Sequence, residues 1–136
     1  MSLSPIEIVQ KMMNKDAFSK WLNIIVLEVE KGSCKLSCEV KPEMLNGFLI
    51  AHGGISYSLS DSALAFASNA YGKQCVSIET SISHLRPAKI GDKLTAICTE
   101  LNRGRTIGIY QVIVTNQDDK KVAIFKGTVH ISDKDW

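Results

Sequence analysis

Residues 52–72 read HGGISYSLSDSALAFASNAYG, and this stretch decides the fold. Ile55, Leu59, Ala63, Phe66 and Ala70 recur at helical spacing, and Ser and Ala crowd the remaining faces. Between Gly53 and Gly72 the single charged residue is Asp61. A helix lying on a protein surface displays several Lys, Arg or Glu; this one reads as enclosed, with small side chains that let other elements approach closely.

Working outward, the flanks supply what encloses it. Segments 24–30 and 34–40 before the helix, and 75–85, 93–101, 106–116 and 122–131 after it, are rich in Val, Ile and Thr and read as strands. Turns fall at Lys31-Gly32, at 87–92, at Arg103-Gly104 and at 118–120. Consecutive strands joined by short turns favour hairpins. Residues 5–21 read as an amino-terminal helix, with Ser4 as N-cap, Pro5 at its first position and Glu7 completing a capping box. The order predicts an α+β fold: one antiparallel sheet curling around the helix at 54–71.

The 136 residues suffice for one domain, 1–136, with one core. A chain that is 45% hydrophobic and 22% charged is ordinarily globular, and a net charge of +2 gives no reason to expect nucleic acid as a partner. The opening MSLSPIEIVQKMMNKD has no basic segment followed by an apolar run, so no secretory signal is expected, and no apolar run is long enough for a membrane span. The expected location is the cytoplasm. Cys34, Cys38, Cys75 and Cys98 match no zinc spacing and read as small buried hydrophobes. His52, His84 and His130 form no evident ligand cluster, so no metal is expected.

The candidate chemistry starts where the helix starts. Gly53 and Gly54 follow a loop containing Asn46 and Gly47, and free N–H groups at a helix start favour an anion or a developing oxyanion. Two glycines also make a tight loop-to-helix turn with no further role. Asp61, alone among uncharged neighbours, is either a nucleophile or general base toward a carbonyl, or a solvated or hydrogen-bonding structural group. Gly53 and Asp61 are eight residues apart, roughly 12 Å along a helix, so one helix is poorly placed to bring both to one carbonyl. Two antiparallel copies across a two-fold axis would do so. His52 has no elbow serine or cysteine to activate, and its expected task is to shape the turn.

At these residues the chain resembles the phenylacetate-pathway, PaaI-type branch of the hotdog thioesterases. The resemblance runs through Met44-Leu45-Asn46-Gly47, His52-Gly53-Gly54, Leu59-x-Asp61, Leu85-Arg86-Pro87, Gly91-Asp92, Gly104-Arg105-Thr106 and Val122-Ala123-x-Phe125-x-Gly127. It implies a hotdog fold, homodimers with a continuous sheet that assemble to homotetramers, and hydrolysis of aryl-acetyl-CoA or medium-chain acyl-CoA without a cofactor. Carried over by position, it implies that Asn46 orients Asp61 or the catalytic water and that the Gly53 N–H polarises the thioester carbonyl. Asp61 of the facing subunit attacks or activates water, and Ser77 is a further polar group near that water. His52 and Gly54 lie beside the substrate, while Arg86, Arg105 and Thr106 hold CoA phosphates. Two positions depart from the pattern: Phe48-Leu49-Ile50-Ala51 is unusually apolar, and His84 stands where an aromatic is usual.

Two other readings share the fold. One is an acyl-CoA-binding hotdog protein that does not hydrolyse its ligand. The other is an acyl-thioester dehydratase, which needs a catalytic histidine paired with an acid, as His52 and Asp61 could be.

Overall fold

The computed structural model describes residues 2–136. Helix α1 (Pro5–Met13) opens with the expected capping box: Ser4 Oγ accepts from the Glu7 N–H, and the Glu7 carboxylate accepts from the Ser4 N–H. The helix expected over 5–21 is two helices. It stops at Asn14, and α2 (Ala17–Trp21) restarts under a new N-cap, Asp16, whose carboxylate accepts from the Ser19 N–H at 2.9 Å and the Ser19 hydroxyl at 2.6 Å. The physical reason is local. Asn14 and Asp16 belong to the residue types that favour helix ends over helix interiors, and here Asp16 turns back to cap the chain's next turn.

Strands β1 (Ile25–Glu30) and β2 (Ser33–Glu39) form a hairpin turned at Gly32, whose φ of +82° suits glycine. A 3₁₀ turn at Pro42–Met44 and the loop beyond it lead into α3 (Gly53–Asn69). Then come β3 (Lys73–His84), β4 (Lys93–Arg103), β5 (Ile107–Thr115) and β6 (Lys121–Asp135). All pairings are antiparallel, in the order β1-β2-β4-β5-β6-β3. Three of the hairpins implied by chain order form, but β3 and β4 do not pair. Segment 85–92 carries the chain from β3 at one edge to β4 in the middle. Arg86 precedes a proline and is biased toward extended backbone, and Gly91 turns at φ +85°.

Helix α3 touches every strand of the sheet, which makes it the centre of the core. Leu59, Ala63, Leu64, Phe66 and Ala67 are buried, against Leu36, Leu94, Ala96, Val112, Val114 and Phe125 from the strands. This is the enclosed helix that its near-absence of charge predicts, and the sheet curled around it is the hotdog architecture. The carboxy-terminal end of α3 is held by a polar network. Arg103 stacks 3.9 Å from the Tyr71 ring centroid and donates to the Ser68 carbonyl (3.1 Å) and the Tyr110 hydroxyl (2.8 Å); Tyr110 in turn donates to Glu100.

The four cysteines are free and buried. Burial pushes the Cys34 thiol up to about 12 and the Cys38 thiol up to about 11, so both stay protonated and inert. Among the described residues, no helix is long and apolar enough to cross a membrane.

Candidate active site

The loop before α3 is tied down by its own backbone. The Asn46 N–H donates to the Ile50 carbonyl (2.8 Å), the Ala51 N–H to the Ala88 carbonyl (2.8 Å), and the His52 N–H to the Met44 carbonyl (2.8 Å). Asn46 Oδ1 accepts from the Phe48 N–H at 2.9 Å, which tightens a turn in which Leu49 sits at φ +61°. That leaves the Asn46 Nδ2 amide with no acceptor in the chain among the described residues.

His52 is the N-cap of α3, and its Nδ1 accepts from the Gly54 N–H at 2.9 Å. Of the two glycines at the helix start, Gly54 therefore has its N–H engaged by the cap. The Gly53 N–H has no acceptor in the chain among the described residues, and it faces the positive end of the helix. It opens on a cleft of about 370 Å³ lined by Asn46, Gly53, Ser56, His84, Arg86 and Ala88, among others.

Asp61 lies two turns further along α3 and lines a different cavity, of about 240 Å³, with Leu64, Ala65, Ser68, Ser77 and Val129. It is half-buried and has no hydrogen bond in the chain among the described residues. Burial, and behind it the charge of Asp16, push its carboxyl above the ordinary aspartate value.

The sequence-predicted residues thus fall into two sets. His84 pairs with Ala123, which pairs with Val114, which pairs with Ala96; at this end of the sheet stand Asn46, His52, Gly53, Gly54 and Arg86. Ser77 pairs with Val129, which pairs with Gly108, the partner of Arg103; at this end stand Asp61, Ser77, Arg105 and Thr106. Gly108 and Val114 are separated by roughly 20 Å of strand. Within one chain, Arg86 and Arg105 do not meet, nor do Gly53 and Asp61. His84, noted in the sequence only as an odd residue before Leu85-Arg86-Pro87, joins the Gly53 set. Its imidazole packs against Gly53: a Cβ there would lie 3.1 Å from both Cε1 and Nε2. No spacing rule links positions 53 and 84, because the contact is made by the strand–helix crossing. Among the described residues, no group of three or more His, Cys, Asp or Glu is placed to hold a metal ion.

A hotdog sheet with an anion-ready helix start and a lone carboxylate on the same helix defines a class of thioester-handling proteins. The chain belongs to the thioesterase superfamily, whose pattern residues 48–123 match, and within it to the PaaI-type branch, so it is a thioester hydrolase by family. It is 37% identical over 119 residues to the acyl-coenzyme A thioesterase PaaI of Escherichia coli K12, covering 88% of this chain and 85% of that protein. The solved E. coli PaaI structure superposes with a TM-score of 0.94 at 34% identity, covering 96% of this chain and 95% of the other. A Streptococcus mutans protein solved bound to acetyl-CoA is 32% identical, with a TM-score of 0.81 over 84% of this chain and 92% of its own.

Proposed function

We propose that this protein hydrolyses the thioester of an aryl-acetyl-CoA or a medium-chain acyl-CoA to the free acid and CoA, as a cytoplasmic homodimer that assembles to a homotetramer, with no cofactor and no metal. The observation that carries the reading is the separation of the two residue sets. An unengaged helix-start N–H sits at one end of the sheet, and an unpaired carboxylate of raised basicity sits at the other. Each is half of a hydrolytic site.

The edge position of β3 supports the assembly. Val76 and Ile78 are 66% and 58% exposed on a strand with a free hydrogen-bonding edge, an arrangement that invites pairing with another strand. A two-fold axis pairing β3 with its copy runs the two α3 helices antiparallel. The Gly53 end of one then faces the Asp61 segment of the other, and the Arg86 end faces the Arg105 hairpin.

In such a site the Gly53 N–H hydrogen-bonds the thioester carbonyl oxygen and draws electron density from the carbonyl carbon. Asp61 of the facing subunit attacks that carbon or takes a proton from the water that does. The unengaged Asn46 amide is available to orient that carboxylate or water, and Ser77 stands beside Asp61 as a second polar group. The tetrahedral intermediate collapses by expelling the CoA thiolate; where Asp61 itself has attacked, water then hydrolyses the acyl-Asp61 anhydride to the free acid and regenerates the carboxylate. Arg86 from one subunit, with Arg105 and Thr106 from the other, supplies cationic and hydroxyl contacts for CoA phosphates. His52 holds the turn and Gly54 gives the substrate close access to it. A dehydratase would instead need the His52 imidazole free for proton abstraction, whereas its Nδ1 is engaged by Gly54.

The test is a panel of aryl-acetyl, short, medium and long acyl-CoA esters, with free-thiol release as readout and with chelator present. Turnover of aryl-acetyl or medium-chain esters, unaffected by chelator, is expected. Tight binding of acyl-CoA without turnover of any member would replace hydrolysis with ligand binding.

A further inference from the structure

Resting on the thioester-hydrolase reading above, we propose that the His84 side chain is a second hydrogen-bond donor to the thioester carbonyl oxygen, acting beside the Gly53 N–H. Sites that stabilise an oxyanion usually aim two donors at it. At this helix start the next backbone donor, the Gly54 N–H, is engaged by His52 Nδ1 at 2.9 Å, so the backbone offers Gly53 alone. The structure places one further donor against Gly53. The Cε1–Nε2 edge of His84 stands over its α-carbon, 3.1 Å from where a methyl group would be, and lines the same cleft as Asn46 and Arg86. The ring is exposed to the cleft and has no hydrogen-bond partner in the chain among the described residues, so Nε2 is available to a ligand.

The backbone beneath the ring is fixed. His84 pairs with Ala123 at the end of β3, and the next N–H, of Leu85, donates to the Val122 carbonyl at 2.8 Å. A Cβ at Gly53 would press on the ring and push it back by a few tenths of an ångström. As the nucleophile adds, the carbonyl π electrons move onto oxygen, and the new charge is shared by the Gly53 N–H and the Nε2–H of His84. The imidazole keeps its proton throughout. When the intermediate collapses, the electrons return to the carbonyl and the thiolate leaves.

The experiment compares His84→Phe, which keeps a flat ring but removes the donor, with His84→Gln, which keeps an N–H donor. Thermal melting establishes that both variants fold. His84→Phe is expected to lower kcat by about 10²-fold with KM within about twofold of the parent. His84→Gln is expected to regain about tenfold of that loss. A kcat for His84→Phe within twofold of the parent overturns the assignment, as does a Gln variant as slow as the Phe variant, since the ring would then act through its shape alone. Inactivity of the unmodified protein on every thioester is a different result: it removes the hydrolase reading, and the role of His84 with it.

Discussion

Leu64 of α3 occupies the space that a side chain at position 127 of β6 would need: a Cβ on Gly127 would lie 2.5 Å from Leu64 Cδ2 and 3.1 Å from Phe125 Cε1. The sheet curls closely onto the helix at this point because one residue has no side chain. Gly127→Ala should therefore overpack the core and cost about 1–3 kcal/mol. Leu64→Ala should cost about 2–5 kcal/mol by leaving a cavity. Combined, the two should cost less than the sum, because the alanine at 127 would fill part of that cavity. Chemical denaturation of the four proteins in the cycle checks this, and strict additivity would mean that the two residues do not share the contact.

Asp61→Asn keeps the side chain's size and removes its charge and basicity. Its kcat should fall by about 10² or more with little change in KM. The folded-state carboxyl is shifted upward, so ionised Asp61 works against folding: whatever stability the group contributes is complete below its unfolded-state value and is lost as pH rises through its folded-state value. At neutral pH the Asn variant should thus melt at the same temperature as the parent or higher. A clear fall in Tm would make Asp61 a structural group.

The same upward shift has a kinetic sign. A base must be ionised to act, so the acid limb of kcat should lie above the ordinary aspartate value of about 3.9. After burial, the negative charge of Asp16 is the second cause of the upward shift, so Asp16→Asn should move that limb to lower pH. Asn caps a helix about as well as Asp, so the bond to the Ser19 N–H is kept and Tm should change little. A limb that stays in place in Asp16→Asn would mean that the two carboxylates do not interact.

If Asn46 and Gly53 serve one subunit's site while Asp61 comes from its neighbour, two dead variants should rescue each other. Asn46→Ala and Asp61→Asn, co-refolded in equal amounts, give mixed dimers with one intact site. Random pairing makes half the dimers mixed, so about a quarter of parental activity should return. No recovery, with mixed dimers shown to form, would mean that each site is built within one chain.

The assembly can be broken at its edge. A Val76→Lys, Ile78→Lys double variant puts two charges on the exposed part of β3, where they cannot be buried against a second strand. It should elute as a monomer, keep the far-ultraviolet circular dichroism of the parent, and lose thioesterase activity. A dimer that persists would put the interface on another face.

Much of this molecule was legible in one stretch of sequence, because helix periodicity and burial are local properties. A helical periodicity over residues 54–71 with Asp61 as its single charge reads as an enclosed helix, and the two glycines before it mark its start. The capping box at Ser4 and the turn at Gly32 were readable for the same reason. The break at Asn14 and Asp16 was missed even though it is local, because a capping aspartate inside an apolar periodicity counts as noise until its side chain is seen turning back to Ser19. What only the tertiary structure decided is which elements meet. β3 crosses to the edge and pairs with β6, whose partner residues lie from 39 (His84↔Ala123) to 62 (Lys73↔Asp135) positions further along, because the sheet's order is set by wrapping every strand around α3 rather than by the turns between neighbours. That crossing lays His84 on Gly53, collects one half of the candidate site at one end of the sheet and leaves Asp61 and Ser77 at the other. Spacing along a chain specifies what a helix or strand presents on its own face; the distance between faces is set by packing, and packing is where this site is divided.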